Sequence, residues 1–247
     1  MIPRVMHSIW IHSSPDDLPS DFLEACRAQT VSIHPEWAVA DWHSHDILQD
    51  PAFDPIRSDL DACWARFAGL PTAKSDLMRL AVLYLFGGVY CDHDVWAIRP
   101  FDDLLPGREL ILAGDRMDPP LVGEHVMGAS PRHPFIWKVL TTFLRSQPNG
   151  AGRYSPKLTK FAIESGIRLP SGEYMHDGPL EVMAPAVFCP APRIVESEDE
   201  AYQVWPRTRA LHCWSRFPNA PDGSPGPDVR YDLDRLRDIE VPELVTP

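Results

Sequence analysis

The sequence contains no long apolar segment. No stretch approaches the roughly 18 consecutive apolar residues of a membrane-spanning helix, so we expect no transmembrane segment. The N-terminus also lacks the basic, apolar and small-residue order of a secretion signal. We therefore expect a cytoplasmic protein.

Cysteine and positive charge are both scarce. The five cysteines are odd in number and show no close pairing typical of a zinc or redox site, so we expect free buried thiols. Lys and Arg number 23 against 35 Asp and Glu, a formal net charge of -12. Because nucleic-acid binding depends on neutralising phosphates with Lys and Arg, this charge disfavours a nucleic-acid partner. An acidic protein that handles a phosphorylated substrate would instead need a cation.

The residues that are present predict an α/β layered domain. Apolar residues make up 44% of the 247 positions, enough to bury a sizeable core. The order over the first hundred residues is strand, helix, strand, helix, helix, strand, which favours alternating layers of helices and sheet. The predicted segments are "IPRVMHSIWI", "SDFLEACRAQT" capped by Ser20, "WAVADW", Asp54 to Phe67 with Pro55 in its first turn, "TAKSDLMRLAVLYLF" capped by Thr72 or Ser75, and "VYCDHDVWAI".

Later segments extend this pattern. "ELILAG" and "EHVMGAS" predict two further strands, and apolar residues recur at helical spacing from Phe135 to Leu144. A second helix is predicted at "KLTKFAIES". Beyond Gly172 the chain is rich in proline, and "VPELVTP" at the C-terminus predicts a loose tail.

Two aspartates follow the apolar strand, with one histidine between them. In a strand, residues two apart share a face, so Asp92 and Asp94 would present their carboxylates together while His93 points away. Two such carboxylates suit Mg²⁺ or Mn²⁺, ions that keep open positions for substrate phosphates. An isolated Asp-x-Asp is more often an ordinary solvated turn with two surface aspartates. The site hypothesis is favoured here by the preceding apolar strand, since α/β folds gather ligand groups at strand carboxyl ends.

A second pair of charges lies on the helix upstream. Asp76 and Arg79 are three residues apart on one face of an otherwise apolar helix. A simple ion pair is one interpretation. A bound sugar is the other, because its hydroxyls accept hydrogen bonds from a guanidinium and donate them to a carboxylate.

These residues occur in a pattern that resembles a known family. The segment is similar to the A-x-S-D-x-x-R-x-x-x-L-Y-x-x-G-G-x-Y-x-D-x-D pattern of the Asp-x-Asp glycosyltransferases, which include fungal initiating mannosyltransferases, bacterial capsule glycosyltransferases and large glucosylating toxins. The matching residues are Ala73, Ser75, Asp76, Arg79, Leu83, Tyr84, Gly87, Gly88, Tyr90, Asp92 and Asp94. Ile2, Pro3, His7 and Trp10 resemble the family's opening pattern, and Pro35, Trp37 and Trp42 its next segment.

The resemblance implies a fold, a reaction and a set of roles. It implies a GT-A type, Rossmann-like α/β fold with a mostly parallel central sheet flanked by helices. It also implies a Mn²⁺ or Mg²⁺ ion and a nucleotide-diphosphate sugar donor, UDP- or GDP-linked, whose hexose passes with retention to a glycan or other hydroxyl acceptor. Carried over by position, Asp94 would bind the metal, Asp92 the donor hydroxyls and the metal through water, Asp76 and Arg79 the sugar, Trp10 the base and Tyr90 the nucleoside region.

The same resemblance suggests how the chain is divided. We expect a single domain, 1–247, with a donor-binding core at 1–105, acceptor-side and closing elements at 106–240 and a tail at 241–247. The strong likeness ends near residue 105. Weaker likeness continues at "SPRHPF", "DGP" and "LHCW".

Two segments depart from the family pattern. The family often places an asparagine before its later His-Pro, where this chain has Glu124 and His125. In relatives, the last part of the pattern is a histidine, then a few residues, then Ser-Trp. Here His212, Trp214 and Ser215 lie closer together and in a different order. His212 either completes the metal shell, since imidazole binds Mn²⁺, or is a packed histidine bonded to a carbonyl. Trp10 likewise either stacks on a base or packs in the core.

Other functions stay open on sequence alone. An apolar strand that ends in Asp-x-Asp also occurs in haloacid-dehalogenase-type phosphatases, although no later lysine and acidic pair are evident here. A sugar-binding protein without turnover is the third possibility, and eight tryptophans are compatible with it.

Overall fold

The computed structural model describes most of the chain. The described residues are 1–11, 18–43, 49–117, 120–145, 154–167, 169, 182–183, 185–188, 204, 208–213 and 232–241. The "DGP" segment, Trp214, Ser215 and the tail beyond residue 241 lie outside them.

A five-stranded sheet forms the centre of the molecule, in the order β2-β1-β3-β6-β5. Its strands are β1 (Val5–Trp10), β2 (Ala38–His43), β3 (Gly88–Cys91), β5 (Leu110–Met117) and β6 (Pro120–Ala129). β1 is parallel to β2 and β3, whereas β6 is antiparallel to both β3 and β5. Four of the five strands therefore run in one direction. The predicted mixed α/β architecture with a mostly parallel sheet is confirmed.

Helices and a second sheet surround these strands. The helices are α1 (Asp21–Ser32), α2 (Arg57–Arg66), α3 (Pro71–Phe86), α4 (Pro134–Leu144), α5 (Tyr154–Glu164), α6 (Pro185–Phe188) and α7 (Leu233–Arg237), with 3₁₀ turns at Pro51–Ile56 and Asp102–Leu104. β4 (Val95–Ala97) and β7 (Ala210–His212) pair antiparallel as a separate two-stranded sheet.

The central sheet separates two apolar cores. Because strand residues alternate between faces, Tyr90, Leu112 and Met127 belong to the core formed with α3 and α4. Cys91, Ile111 and their neighbours belong to the core on the opposite face, which includes α6 and β4. The side chain of Tyr90 therefore lies on the face that α3 covers.

Two helix starts differ from the predictions. The stretch from Asp54 to Phe67 is a 3₁₀ helix followed by α2, because Pro51 and Pro55 have no N–H for an α-helical ladder. α3 begins at Pro71 and has no side-chain cap, so the prediction that Thr72 or Ser75 caps it is wrong. The predicted cap of α1 is confirmed, since Ser20 accepts a hydrogen bond from the N–H of Leu23.

The segment "VYCDHDVWAI" is not one strand. β3 ends at Cys91, the next three residues form a turn, and β4 begins at Val95 in the second sheet. Asp92 and Asp94 therefore do not share a face through strand alternation, and the physical reason given for their convergence was wrong. The turn brings them together instead.

The junction between α3 and β3 depends on two glycines with positive φ. Gly87 has φ +66° and Gly88 has φ +92°. The Nε2–H of His7 donates to the carbonyl of Gly87 over 2.7 Å, while its Nδ1 accepts from the indole N–H of Trp42 over 3.1 Å. His7 is thus a neutral structural link, and burial lowers its pKa.

We expect Gly88→Ala to destabilise the protein strongly. An added Cβ would lie 2.6 Å from the carbonyl oxygen of Val5 and 2.9 Å from Nε2 of His7. Gly107→Ala is the matched control, since Gly107 has φ +71° and nothing within 4 Å of an added Cβ. The control should lose about 1–2 kcal/mol of unfolding free energy from strain alone. Gly88→Ala should lose a further 1–3 kcal/mol or so from overpacking. Urea unfolding measures the unfolding free energy of both variants. Equal losses for the two would show that the close contacts around Gly88 do not matter.

The described residues include four of the five cysteines. Cys26, Cys63, Cys91 and Cys213 are free and buried, while Cys189 is outside the described residues. Among the helices of the described ranges, none has both the length and the apolar character needed to cross a membrane.

Candidate active site

Two aspartates and a histidine converge where β3 ends. Ligand atoms of Asp92, Asp94 and His212 all lie within 4.8 Å of one another. His212 Nε2 is 3.3 Å from Asp94 Oδ1 and 3.8 Å from Asp92 Oδ2. Two carboxylates and one imidazole at this spacing can bind a divalent cation that accepts oxygen and nitrogen ligands.

Backbone hydrogen bonds fix the positions of these three residues. The N–H of Asp92 donates to the carbonyl of His125 over 2.9 Å, which ties the end of β3 to β6. The N–H of Cys213 donates to the carbonyl of Asp94 over 2.7 Å. Because β7 also pairs with β4, residue His212 is brought beside the turn from a distant part of the sequence.

Arg79 is the centre of a buried charged network beside this cluster. Its Nη2 is 2.9 Å from Asp76 Oδ1, and its Nη1 is 3.4 Å from Asp92 Oδ1. Nη1 also donates to the backbone carbonyl of Glu124 over 2.8 Å and lies 4.0 Å from the carboxylate of Glu124. The guanidinium stands 4.6 Å from the centre of the Tyr90 ring. The Arg79 side chain is only 8% exposed.

Tyr90 links this network to the aspartate turn. Its hydroxyl donates to Asp92 Oδ1 over 2.5 Å, so one carboxylate oxygen of Asp92 faces both Tyr90 and Arg79. Burial raises the pKa of Tyr90 well above its ordinary value, with Arg79 acting in the opposite direction. The phenol is therefore neutral and orients the carboxylate of Asp92 by hydrogen bonding.

The positive charge of Arg79 and the negative charges around it offset part of the cost of burying each other. Burial acts to lower the pKa of Arg79, but Tyr90, Asp92, Asp76 and Glu124 together raise it well above the ordinary value. Burial raises the pKa of Asp76 to about 6, although Arg79 acts to lower it. Arg79 is therefore permanently charged, while Asp76 changes protonation in mildly acidic solution.

Strand β6 contributes two residues, one on each side of the site. Glu124 faces Arg79 and Asp76, whereas His125 stacks on His212 with ring centres 4.4 Å apart and an interplanar angle of 14°. Burial lowers the pKa of His125 well below its ordinary value, and His212 adds to the effect. The sequence reasoning assigned neither residue a role. Two adjacent polar residues inside an apolar strand were the available signal, since consecutive strand positions face opposite sides.

Trp10 lies at the end of β1 and contacts His93 of the aspartate turn. It ends β1, which runs parallel to β3, so it lies at the sheet edge that Asp92 follows. Its half-buried ring makes an edge contact with His93 at 5.2 Å, and His93 accepts from or donates to the Ser8 hydroxyl over 3.2 Å. His93 thus points away from the paired aspartates toward β1.

The comparisons with known proteins identify the segment that carries most of this site. Residues 20–111 match the family model described as a glycosyltransferase sugar-binding region containing a DXD motif. This segment is therefore similar to the sugar-binding region of the DXD glycosyltransferases. Asp76, Arg79, Tyr90 and the two aspartates all lie within the matched residues, whereas Trp10, Glu124 and His212 lie outside them.

Two fungal relatives extend the similarity beyond the sugar-binding region. Inositol phosphoceramide mannosyltransferase 3 of Schizosaccharomyces pombe is 26% identical over 196 residues, which cover 76% of this chain and 51% of the relative. Mannosyl phosphorylinositol ceramide synthase SUR1 of Saccharomyces cerevisiae is 29% identical over 143 residues, 57% of this chain and 34% of the relative. The chain thus spans about half or less of the length of these relatives.

A solved structure supports the fold around the sugar-binding region. The PaToxG glycosyltransferase superposes with a TM-score of 0.55 over 66% of this chain and 70% of that one, at 16% sequence identity. The fold is of the predicted GT-A type. The divisions at residues 105 and 240 stay predictions, although β5, β6 and β7 all pair with strands of the first hundred residues or with one another.

Proposed function

We propose that the protein is a metal-dependent, retaining glycosyltransferase that moves a hexose from a UDP- or GDP-sugar to a hydroxyl acceptor. One observation carries the proposal: a cluster with metal-ligand spacing, Asp92, Asp94 and His212, shares Asp92 with the buried Arg79 network. A nucleotide sugar needs a cation for its diphosphate and polar side chains for its hexose, and the two sites must be adjacent. The sugar-binding region found in residues 20–111 supports the same assignment.

Asp94, Asp92 and His212 would hold a Mn²⁺ or Mg²⁺ ion. Their donor atoms are two carboxylates and one imidazole, which suits Mn²⁺ well and leaves coordination positions for phosphate oxygens. When bound, the ion supplies positive charge that stabilises the diphosphate leaving group as the bond to the sugar breaks. The 2.5 Å bond from Tyr90 and the ion pair with Arg79 hold Asp92 in place before any ligand arrives.

Asp76 and Arg79 would bind the transferred sugar. Their 2.9 Å pair is almost fully buried, and such a pair is weak evidence for a purely stabilising role because desolvation cancels much of the attraction. A sugar offers hydroxyl donors to the carboxylate and acceptors to the guanidinium. Binding would thus convert part of the buried pair into substrate contacts.

Trp10 would stack on the nucleobase of the donor. It lies at the carboxyl edge of β1, where ligands bind in open α/β sheets, and its half-buried ring can present a face to a base. A contact of Tyr90 with the nucleoside stays a prediction. The hydroxyl of Tyr90 is already used as a donor to Asp92.

Retention of the anomeric configuration can arise by two routes. In one, the acceptor hydroxyl attacks from the side of the leaving phosphate, and a phosphate oxygen takes its proton. In the other, a protein nucleophile displaces the diphosphate to form a covalent glycosyl intermediate, and the acceptor hydroxyl then displaces the nucleophile. NMR of the first product anomer tests retention itself.

We further propose a glycan or lipid-linked hydroxyl as the acceptor, and a cytoplasmic location. The names of the two fungal relatives, both of which refer to ceramide lipids, support a lipid-linked acceptor. The free buried thiols support a reducing compartment. Fractionation and activity assays with lipid-linked and soluble acceptors test these points.

The proposed function predicts a ligand-dependent gain in thermal stability. With Mn²⁺ and a UDP- or GDP-linked hexose at about 100 times its Kd, the melting temperature should rise by roughly 5–10 °C, because only the native state binds the ligand. Slow Mn²⁺-dependent hydrolysis to free hexose should accompany binding. Binding without hydrolysis would indicate a sugar-binding protein, and release of inorganic phosphate would indicate a phosphatase.

A further inference from the structure

A stacked pair of histidines borders the proposed cation cluster. The rings of His125 and His212 have centres 4.4 Å apart, and their planes are 14° from parallel. The two residues are only 2% and 6% exposed, so little water reaches the contact. The Asp-x-Asp pattern assigns nothing to His125, because the chain departs from that pattern at this position.

His125 contacts both of the segments that form the cluster. Its backbone carbonyl accepts a hydrogen bond over 2.9 Å from the N–H of Asp92, at the start of the aspartate turn. Its ring lies against His212, the last residue of β7. His125 itself lies on β6, which is held between β3 and β5 in the central sheet. Its side chain is therefore a fixed support for the ring of His212.

A histidine that binds a cation needs a defined ring orientation. Rotation about the Cβ–Cγ bond of histidine is soft, so the position of the backbone alone does not fix the plane of the imidazole. A near-parallel ring in contact restricts this rotation, because turning His212 out of the stack would push its ring edge into His125. The stack thus opposes any rotation that moves Nε2 of His212 away from Asp94 Oδ1, which is 3.3 Å distant.

We propose that His125 is a positioning residue of the cation site, whose ring holds the imidazole of His212 in the orientation that binds the ion. The inference rests on the proposed function, because it takes His212 to be a ligand of the cation. It adds that His125 acts through His212 and needs no contact with the ion or with the nucleotide sugar.

Substitutions of His125 separate the flat face of the ring from its nitrogen atoms. The affinity for Mn²⁺ alone is measured by calorimetry for the wild type, His125→Leu and His125→Phe, and urea unfolding checks that each variant folds. Each variant keeps the backbone hydrogen bond to Asp92. His125→Leu should bind Mn²⁺ about 10–100-fold more weakly, the loss typical of residues that orient metal ligands.

His125→Phe should bind Mn²⁺ nearly as tightly as the wild type. Phenylalanine keeps a flat ring against His212, and the substitution removes no hydrogen bond at Nε2, which has no partner among the described residues. Ile136→Val is the control for general destabilisation, since Ile136 is fully buried on α4. This control should lower stability and leave Mn²⁺ affinity unchanged.

A double-mutant cycle with His212→Ala tests whether His125 acts through His212. In the His212→Ala background there is no imidazole to orient, so adding His125→Leu should cause no further loss of Mn²⁺ affinity. A residue that only supports the surrounding structure would lower the affinity in both backgrounds. His125→Asn, which has no ring, replaces His125→Leu if that variant does not fold, and the same loss is expected of it.

Four results would overturn the inference. They are unchanged affinity in His125→Leu, equal losses in His125→Leu and His125→Phe, a further loss in the double variant, and a His212→Ala variant that binds Mn²⁺ as tightly as the wild type. The proposed function fails separately, if the wild type neither binds Mn²⁺ nor hydrolyses a UDP- or GDP-linked hexose.

Discussion

Replacing Asp94 with asparagine is expected to abolish metal-dependent turnover while the fold stays intact. Asp94 Oδ1 lies 3.3 Å from Nε2 of His212 within the proposed metal-binding set. Loss of residues that merely orient metal ligands weakens metal binding by about 10–100-fold, so loss of a direct ligand should weaken Mn²⁺ binding by at least about 100-fold. Calorimetric titration with Mn²⁺ and the rate of donor hydrolysis measure the effect.

Stability provides the second readout for Asp94→Asn. Without metal, Asp92 and Asp94 repel each other, and the substitution removes this repulsion. The free energy of unfolding of the variant should therefore be within about 1 kcal/mol of that of the wild type, or higher. Asp61→Asn, an exposed position on α2, is the control and should leave both Mn²⁺ affinity and turnover unchanged. Retention of most of the activity by Asp94→Asn would defeat the role assigned to this residue.

Replacing Arg79 with methionine is expected to cause the largest loss of stability of any substitution considered. The change leaves Asp76, Asp92 and Glu124 without the cation they surround. Removing one partner from a buried ionic network costs about 3–5 kcal/mol. Urea unfolding at neutral pH measures the loss. Donor binding should disappear together with stability, because Arg79 is also a proposed sugar ligand.

A second Asp–Arg pair in the chain supplies the matched control. Asp234 and Arg237 have the same three-residue spacing on α7, but their side chains are 87% and 58% exposed. Arg237→Met should therefore change the unfolding free energy by less than about 1 kcal/mol. Similar losses for Arg79→Met and Arg237→Met would contradict the importance of burial.

The loss caused by Arg79→Met should also depend on pH. In the wild type, the pKa of Asp76 is about 6, above its ordinary value of 3.8, so the folded state binds a proton more tightly than the unfolded state. Stability therefore falls as pH rises between these two values. Removing Arg79 raises the pKa of Asp76 further and extends this fall to higher pH. The stability difference between variant and wild type should thus be smaller at pH 5 than at pH 7.5, and the opposite trend would overturn this account.

Some parts of the fold and site follow from local sequence, and others do not. The burial of α3 was predictable because its residues are apolar almost all round, and eight of them are indeed buried. The proximity of Asp92 and Asp94 was predicted, but through a strand rule that does not apply in the turn where they lie. The one-residue separation of Asp92 and Asp94 was enough to predict that they lie close together. Their orientation depends on the turn, which the tertiary structure determines.

Contacts between distant segments could not be obtained in this way. Glu124 reaches Asp76 only because β6 pairs with β3, and α3 covers that face of the sheet. The stacking of His125 on His212 requires β7 to lie beside β4. The residue spacing within each segment does not predict these contacts between segments. The sequence therefore indicated two possible roles for His212 and no role for Glu124.

The pairing of β4 with β7 also has a consequence for biosynthesis. Asp92 and Asp94 leave the ribosome long before His212, yet all three belong to one cluster. A nascent chain that stops short of β7 can form the aspartate turn but not the complete proposed cation-binding set. Full affinity for the proposed ion would therefore arise only after residue 212 has been synthesised, when the ion would join two segments that are far apart in the chain and oppose their separation.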